Sequence, residues 1–180
     1  MKKLSMVALG LMLAAAHVNA AEASDGTINF TGNIASQTCT VSVNGSGSGS
    51  GSTATVTLPK VASSILSTSG QTAGNTRFTM ALSNCSATTG DVYAYFEQGA
   101  NVNADGRLTN TGTATNVDLQ LLDSGNGVLN AGSTEQTTSP KTVALTAGAG
   151  TLTYSAQYYA TGAATAGTVL SAVNYSINYL

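Results

Sequence analysis

Two cysteines and a thin scatter of carboxylates are the side chains here whose chemistry is most open to reading. Cys39 and Cys85 are the only cysteines, and His17 is the only histidine. His17 sits inside an amino-terminal stretch with the marks of an export signal, so it departs when that stretch is removed. Without histidine, neither a Ser-His-Asp nor a Cys-His nucleophile can be assembled. Two thiolates do not complete a tetrahedral zinc shell, so no metal is expected. Asp118 and Asp123 are conceivable as an acid–base pair, but their setting around a strand end reads better as solvated turn residues. The glycine-rich stretches lack a lysine and a following helix, which excludes a phosphate loop. The chain reads as a non-enzyme without a cofactor. The chemistry left is oxidative: an even pair of cysteines in an exported chain reads as a disulfide, with two free thiols as the alternative. The bridge would close a loop of 46 residues, worth roughly 3–4 kcal/mol in the loop-entropy account.

The export reading rests on Lys2 and Lys3, the apolar run from Leu4 to Ala16, and the small-residue site Val18-Asn19-Ala20. We place the signal at residues 1–20, with cleavage after Ala21 or Ala23 as alternatives. The apolar run is shorter than the ~20 residues a spanning helix needs. The mature chain keeps Lys60, Arg77, Arg107 and Lys141 against eight acids, a balance of −4. Such a surface does not suit nucleic acid. Serine, threonine, asparagine and glycine supply the polarity instead. About 160 mature residues suit one domain.

The elements that must position the cysteines are short strands. Thr38–Val43, Thr53–Pro59, Arg77–Cys85, Val92–Glu97, Asn116–Asp123, Thr142–Leu145 and Thr151–Ala160 all read as strands. Ala62–Ser67 reads as a helical turn, Ser124–Gly127 as a tight turn, and the Gly-Ser repeat at 45–52 as a flexible loop. Many short strands between turn signals imply an all-β sandwich.

Two alternating stretches stand at opposite ends of the mature chain. Residues 21–36 place Gly26, Ile28, Phe30, Gly32 and Ile34 on one face. The closing residues place Val173, Tyr175, Ile177 and Tyr179 on one face and Asn174, Ser176 and Asn178 on the other. Both follow the period of a half-buried strand. The last has no following hairpin partner in this sequence, and a free strand edge invites another chain.

Taken in order, these features resemble the major structural pilins of chaperone–usher (type 1) fimbriae. The match is carried by Gly26-Thr-Ile-Asn-Phe-Thr-Gly-Asn-Ile34 ahead of Cys39 and by Cys85 within Leu82-Ser-Asn-Cys. It is carried further by Thr115–Leu122 followed by Asp123, by Gln157–Ala164, by Gly167 fourteen residues from the end, and by the penultimate Tyr179. The Gly-Ser run at 45–52 departs from the pattern. The resemblance implies an incomplete immunoglobulin-like sandwich over residues 37–180, completed by donor-strand exchange. Residues 21–36 would be the donor, with Gly26, Ile28, Phe30, Gly32 and Ile34 filling successive pockets of a neighbouring copy. Gly167, Val173, Tyr175, Ile177, Tyr179 and the carboxylate of Leu180 would form the acceptor groove and chaperone contact. Implied partners are further copies of the chain in a head-to-tail homopolymer, a periplasmic chaperone, an outer-membrane usher, and tip adhesin or adaptor subunits. The implied location is a surface fimbrium reached through the periplasm, serving adhesion and biofilm formation.

Three other readings compete. Ile28, Phe30 and Ile34 would also suit the chain's own first strand. A sugar-binding tip adhesin or other secreted lectin would need a separate receptor domain, for which there is no room, and would lack the donor segment. A minor adaptor subunit of the same pilus shares every motif above and differs in not forming a homopolymer.

Overall fold

The computed structural model describes residues 39–46 and 53–180. All belong to one compact unit of the chain, Ala35–Leu180. The signal at 1–20 and the donor residues Gly26, Ile28, Phe30, Gly32 and Ile34 lie outside the described residues.

The fold is almost entirely β. The described residues form nine strands: β1 (Thr40–Val43), β2 (Thr72–Ser83), β3 (Asp91–Phe96), β4 (Leu108–Thr109), β5 (Val117–Leu122), β6 (Val128–Leu129), β7 (Val143–Ala144), β8 (Gly150–Ala160) and β9 (Tyr175–Tyr179). A 3-10 turn at Ser63–Leu66 and a one-turn helix α1 (Glu135–Thr138) complete the set. The large sheet runs β1-β2-β8-β5-β4, with β6 also on β5; the small sheet runs β7-β3-β9. All pairings are antiparallel.

Alternation builds the sandwich. Phe78, Met80 and Leu82 of β2 stand opposite Tyr154, Leu152 and Gly150 of β8. These side chains meet Val92, Ala94 and Phe96 of the small sheet in one core. The Tyr154 ring packs edge-on against Phe96 with centroids 5.1 Å apart, a favoured aromatic geometry. The opposite face of the large sheet carries polar cross-strand pairs: Asp118 faces Tyr159 and Gln120 faces Gln157. The Gln157 amide donates to Gln120 Oε1 at 2.8 Å.

Local chemistry sets the turns and breaks. Asn44 and Gly45, both at positive φ, form a two-residue hairpin closed by Val43 and Ser46, the geometry that an Asn-Gly pair favours. The strand expected from Arg77 begins earlier, at Thr72, because a bulge between Ala73 and Thr76 lets the pairing with β8 continue. Gly74 serves that bulge at φ +69°, where an added Cβ would meet the Tyr158 ring at 2.9 Å.

The expected strand at Thr53–Pro59 is different. Ala54, Val56 and Leu58 alternate inward and pack on the core. Yet the segment joins no ladder, and no backbone hydrogen bond links residues 53–58 to any described neighbour. It has a strand's side-chain pattern without a strand's partner among the described residues.

Candidate functional site

Among the described residues β9 is a strand paired along one edge only. One edge pairs with β3 along its whole length, from Val92 opposite Tyr179 to Phe96 opposite Tyr175. The ladder extends at both ends: Leu180 N–H donates to the Asp91 carbonyl at 2.8 Å, and Glu97 N–H to the Asn174 carbonyl at 2.9 Å. The other edge of β9 meets no strand among the described residues. Unpaired backbone groups along a strand edge are a template for another strand.

The side chains of β9 match that edge. Val173, Tyr175, Ile177 and Tyr179 all pack on the core, and all stay partly exposed. Residues of β3 on the same core are closed off, with Val92 at 0 % exposure. The core is thus covered at β3 and open at β9. Burial raises the hydroxyl pKa of Tyr175 and of Tyr179, so both stay neutral in the physiological range.

Side chains anchor the C-terminal end of β9. The sequence pairs Cys39 with Cys85, and the structure has that disulfide. Tyr179 donates its hydroxyl to Cys39 Sγ at 2.9 Å, so the bridge holds the penultimate residue. On the outer face Asn178 Nδ2 donates to the Tyr93 hydroxyl at 3.2 Å. Leu180 is 71 % exposed, which leaves the terminal residue open to a partner.

Gly167 sits apart from this edge. It lies in a ribbon where residues 163–172 run against 110–116. Thr111 N–H donates to the Leu170 carbonyl at 2.8 Å, and Ala114 N–H to the Thr168 carbonyl at 3.0 Å. An added Cβ at Gly167 would lie 2.8 Å from Ala114 Cα. The glycine lets two backbones touch just ahead of β9.

Asp118 and Asp123 are not a catalytic pair. They stand at the two ends of β5, roughly 17 Å apart at strand rise. Asp118 is 8 % exposed rather than solvated. It accepts from Asn103 Nδ2 at 2.9 Å and from Arg107 Nε at 3.4 Å. Arg107 also pairs with Asp105 and stacks over the Tyr159 ring, 4.2 Å from its centroid. The long gap between Arg107 and Asp118 in sequence hid this ion pair. Asp123 does cap a turn, accepting the N–H groups of Gly125 and Gly127. Among the described residues no His, Cys, Asp or Glu cluster could hold a metal, and no helix is long and apolar enough to cross a membrane.

Residues 58–180 match the family model for the type-1 fimbrial protein FimA. The chain belongs to the type-1 fimbrial protein family. This fimbrial subunit is 47 % identical over 177 residues to the major fimbrial subunit SMF-1 of Stenotrophomonas maltophilia, covering 93 % of this chain and 99 % of that one. It is 43 % identical over 187 residues to the F17 fimbrial protein of Escherichia coli, covering 99 % of each. The crystal structure of the P pilus rod subunit PapA shares its fold at a TM-score of 0.56 and 16 % identity, across 79 % of this chain and 99 % of that one. The resemblance read from the sequence and the sandwich that it implied both stand. The subunit is a structural component of a surface fimbrium.

Proposed function

We propose that this fimbrial subunit forms the shaft of its pilus by head-to-tail strand addition. Residues 21–36 of one copy lie along the free edge of β9 in the next. The observation that carries this is the state of β9: among the described residues it is bonded on one edge only, and Val173, Tyr175, Ile177 and Tyr179 stay partly exposed where they pack on the core. Residues 53–58 support it, since Ala54, Val56 and Leu58 reach the same core while their backbone has no described partner. The added strand would run between this segment and β9. It would place Ile28, Phe30 and Ile34 over the core and Gly32 where the walls approach most closely. Backbone ladders give such additions their affinity, and alternate side chains their selectivity. The contact is head-to-tail and does not close, so it makes a filament.

A shaft role, rather than an adaptor role, draws support from two similar proteins, one described as a major fimbrial subunit and the other as a pilus rod subunit. On this reading the signal at 1–20 directs export to the periplasm. A chaperone there covers the β9 edge and holds the Leu180 carboxylate, and an outer-membrane usher exchanges the chaperone for the next subunit. The finished fimbrium supports adhesion and biofilm formation.

Thermal unfolding of disulfide-intact residues 35–180, with and without a peptide of residues 21–36, tests the proposal. A large peptide-dependent rise in the midpoint is expected. A stable truncated domain indifferent to the peptide would mean a fold already complete, and a free-standing secreted sandwich.

A further inference from the structure

We infer that Gln136 and Tyr154 seal the second edge of the small sheet and so decide which edge takes the donor strand, an inference that rests on the strand-addition reading above. β3 is the central strand, and its backbone groups alternate between two sides. Asp91 and Glu97 bond toward β9, so Tyr93 and Tyr95 do as well, while Val92, Ala94 and Phe96 point the other way. On that second side β7 is short. It pairs only Ala144 with Asp91 and Val143 with Val92, and Leu145 N–H adds a bond to the Gly90 carbonyl. Beyond Val92 no described strand continues the sheet.

Side chains take over there. The Tyr154 hydroxyl, reaching across from the large sheet, accepts Ala94 N–H at 2.9 Å. Gln136 Oε1 accepts Phe96 N–H at 3.0 Å, and Gln136 Nε2 donates to the Phe96 carbonyl at 3.0 Å. The same nitrogen donates to the Asn130 carbonyl at 3.0 Å. Gly132 N–H adds a second bond to the Phe96 carbonyl at 2.8 Å. A primary amide carries the same donor and acceptor as a peptide unit, so Gln136 stands in for one residue of a strand. Gln136 is 5 % exposed and Tyr154 3 %, so the seal is interior. The two edges of the small sheet therefore differ in kind: one is filled by side chains that cannot propagate a ladder, and one meets no strand among the described residues. Gln136 is a positioning residue for strand addition.

The test uses the mature full-length chain with Gln136→Met, which keeps the length of the side chain and removes both polar groups. Native mass spectrometry counts labelled peptide of residues 21–36 per chain, amide exchange reads Ala94 and Phe96, and electron microscopy reads filament form. Wild type should take at most one peptide per chain and form unbranched filaments. The variant should take a second peptide, exchange Phe96 N–H at least tenfold faster, and form side-to-side junctions. One peptide and unbranched filaments from the variant, despite faster Phe96 exchange, would overturn the inference and leave Gln136 as an anchor for α1. Wild type that takes no peptide and forms no filament would overturn the strand-addition reading instead. Where Gln136→Met does not fold, Gln136→Leu removes the same donor and acceptor with a smaller side chain. The same second site is expected from it, and its absence refutes the inference equally.

Discussion

Ile177 offers the sharpest check on where the core is open. It stands opposite Ala94 in β9, packs on the core and remains partly exposed. Truncating a fully buried isoleucine to alanine costs about 2–5 kcal/mol. In residues 35–180 alone, with Ile177 only partly covered, Ile177→Ala should cost about half of that, ~1–2.5 kcal/mol. With the 21–36 peptide laid along β9, Ile177 becomes fully covered and the whole cost applies. The difference, about 1–2.5 kcal/mol, must appear in peptide affinity as a loss of roughly 5- to 70-fold. Val92→Ala is the control. Val92 is already at 0 % exposure in the neighbouring strand. Its truncation should cost on the order of 2 kcal/mol with or without peptide, leaving affinity unchanged. Denaturant unfolding gives the first quantity and fluorescence anisotropy titration the second. If Ile177→Ala weakens the free domain as strongly as the complexed one and affinity does not move, β9 is not the acceptor edge and the reasoning fails.

Further outcomes follow from other contacts. Replacing both Cys39 and Cys85 by alanine should lower stability by about 4 kcal/mol, from the loop entropy of the 46-residue closure, as read by urea unfolding. Phe30→Asp should exclude the chain from filaments, since a carboxylate would enter an apolar core without a partner; normal filaments made of that variant alone would refute the donor register. Gly167→Ala should cost ~1–3 kcal/mol through the clash with Ala114, with faster amide exchange at Thr111 and Ala114. Stability should also fall in alkali. Burial, offset in part by the Ala94 N–H and reinforced by the charge of Asp123, raises the Tyr154 pKa above its ordinary value. A raised folded pKa means full stability below the unfolded value near 10 and progressive loss as pH climbs through the folded value. Tyr154→Phe should remove one proton's share of that slope in unfolding midpoints measured from pH 8 to 11.5.

The sandwich was legible because its long strands alternate cleanly. Phe78-Met80-Leu82 and Leu152-Tyr154-Ala156 announce their inward faces, and those faces form the core. The disulfide was legible because two cysteines in an exported chain allow one internal pairing. The pieces that escaped were too short to carry a period. β4 and β6 have two residues each, and α1 has one turn. Gln136 looked like one polar residue among many in Thr134–Ser139; its role depends on Phe96, 40 positions earlier. Asp118 was misread for the same reason, because its partners Asn103 and Arg107 come from a separate loop. Thr53–Pro59 was read as a strand; its inward alternation holds, while among the described residues it joins no ladder, because alternation reports burial and says nothing of hydrogen bonding.

The contact between Tyr179 and the disulfide has a mechanical meaning. If subunits join by the strand addition proposed above, tension in the filament would enter each subunit ahead of Cys39 and leave through β9. Cys39 is covalently joined to Cys85, and its sulfur accepts the Tyr179 hydroxyl at 2.9 Å. Entry and exit of the force therefore meet at one point, and the chain between residues 40 and 84 hangs beside the line of pull. Should the sheets give way, the chain inside the bridge, a sequence separation of 46, still cannot pay out. At roughly 3.3–3.6 Å per extended residue, that withholds about 150–165 Å of slack from every subunit. The bridge acts as a stop that limits how far each subunit of a stretched shaft can lengthen.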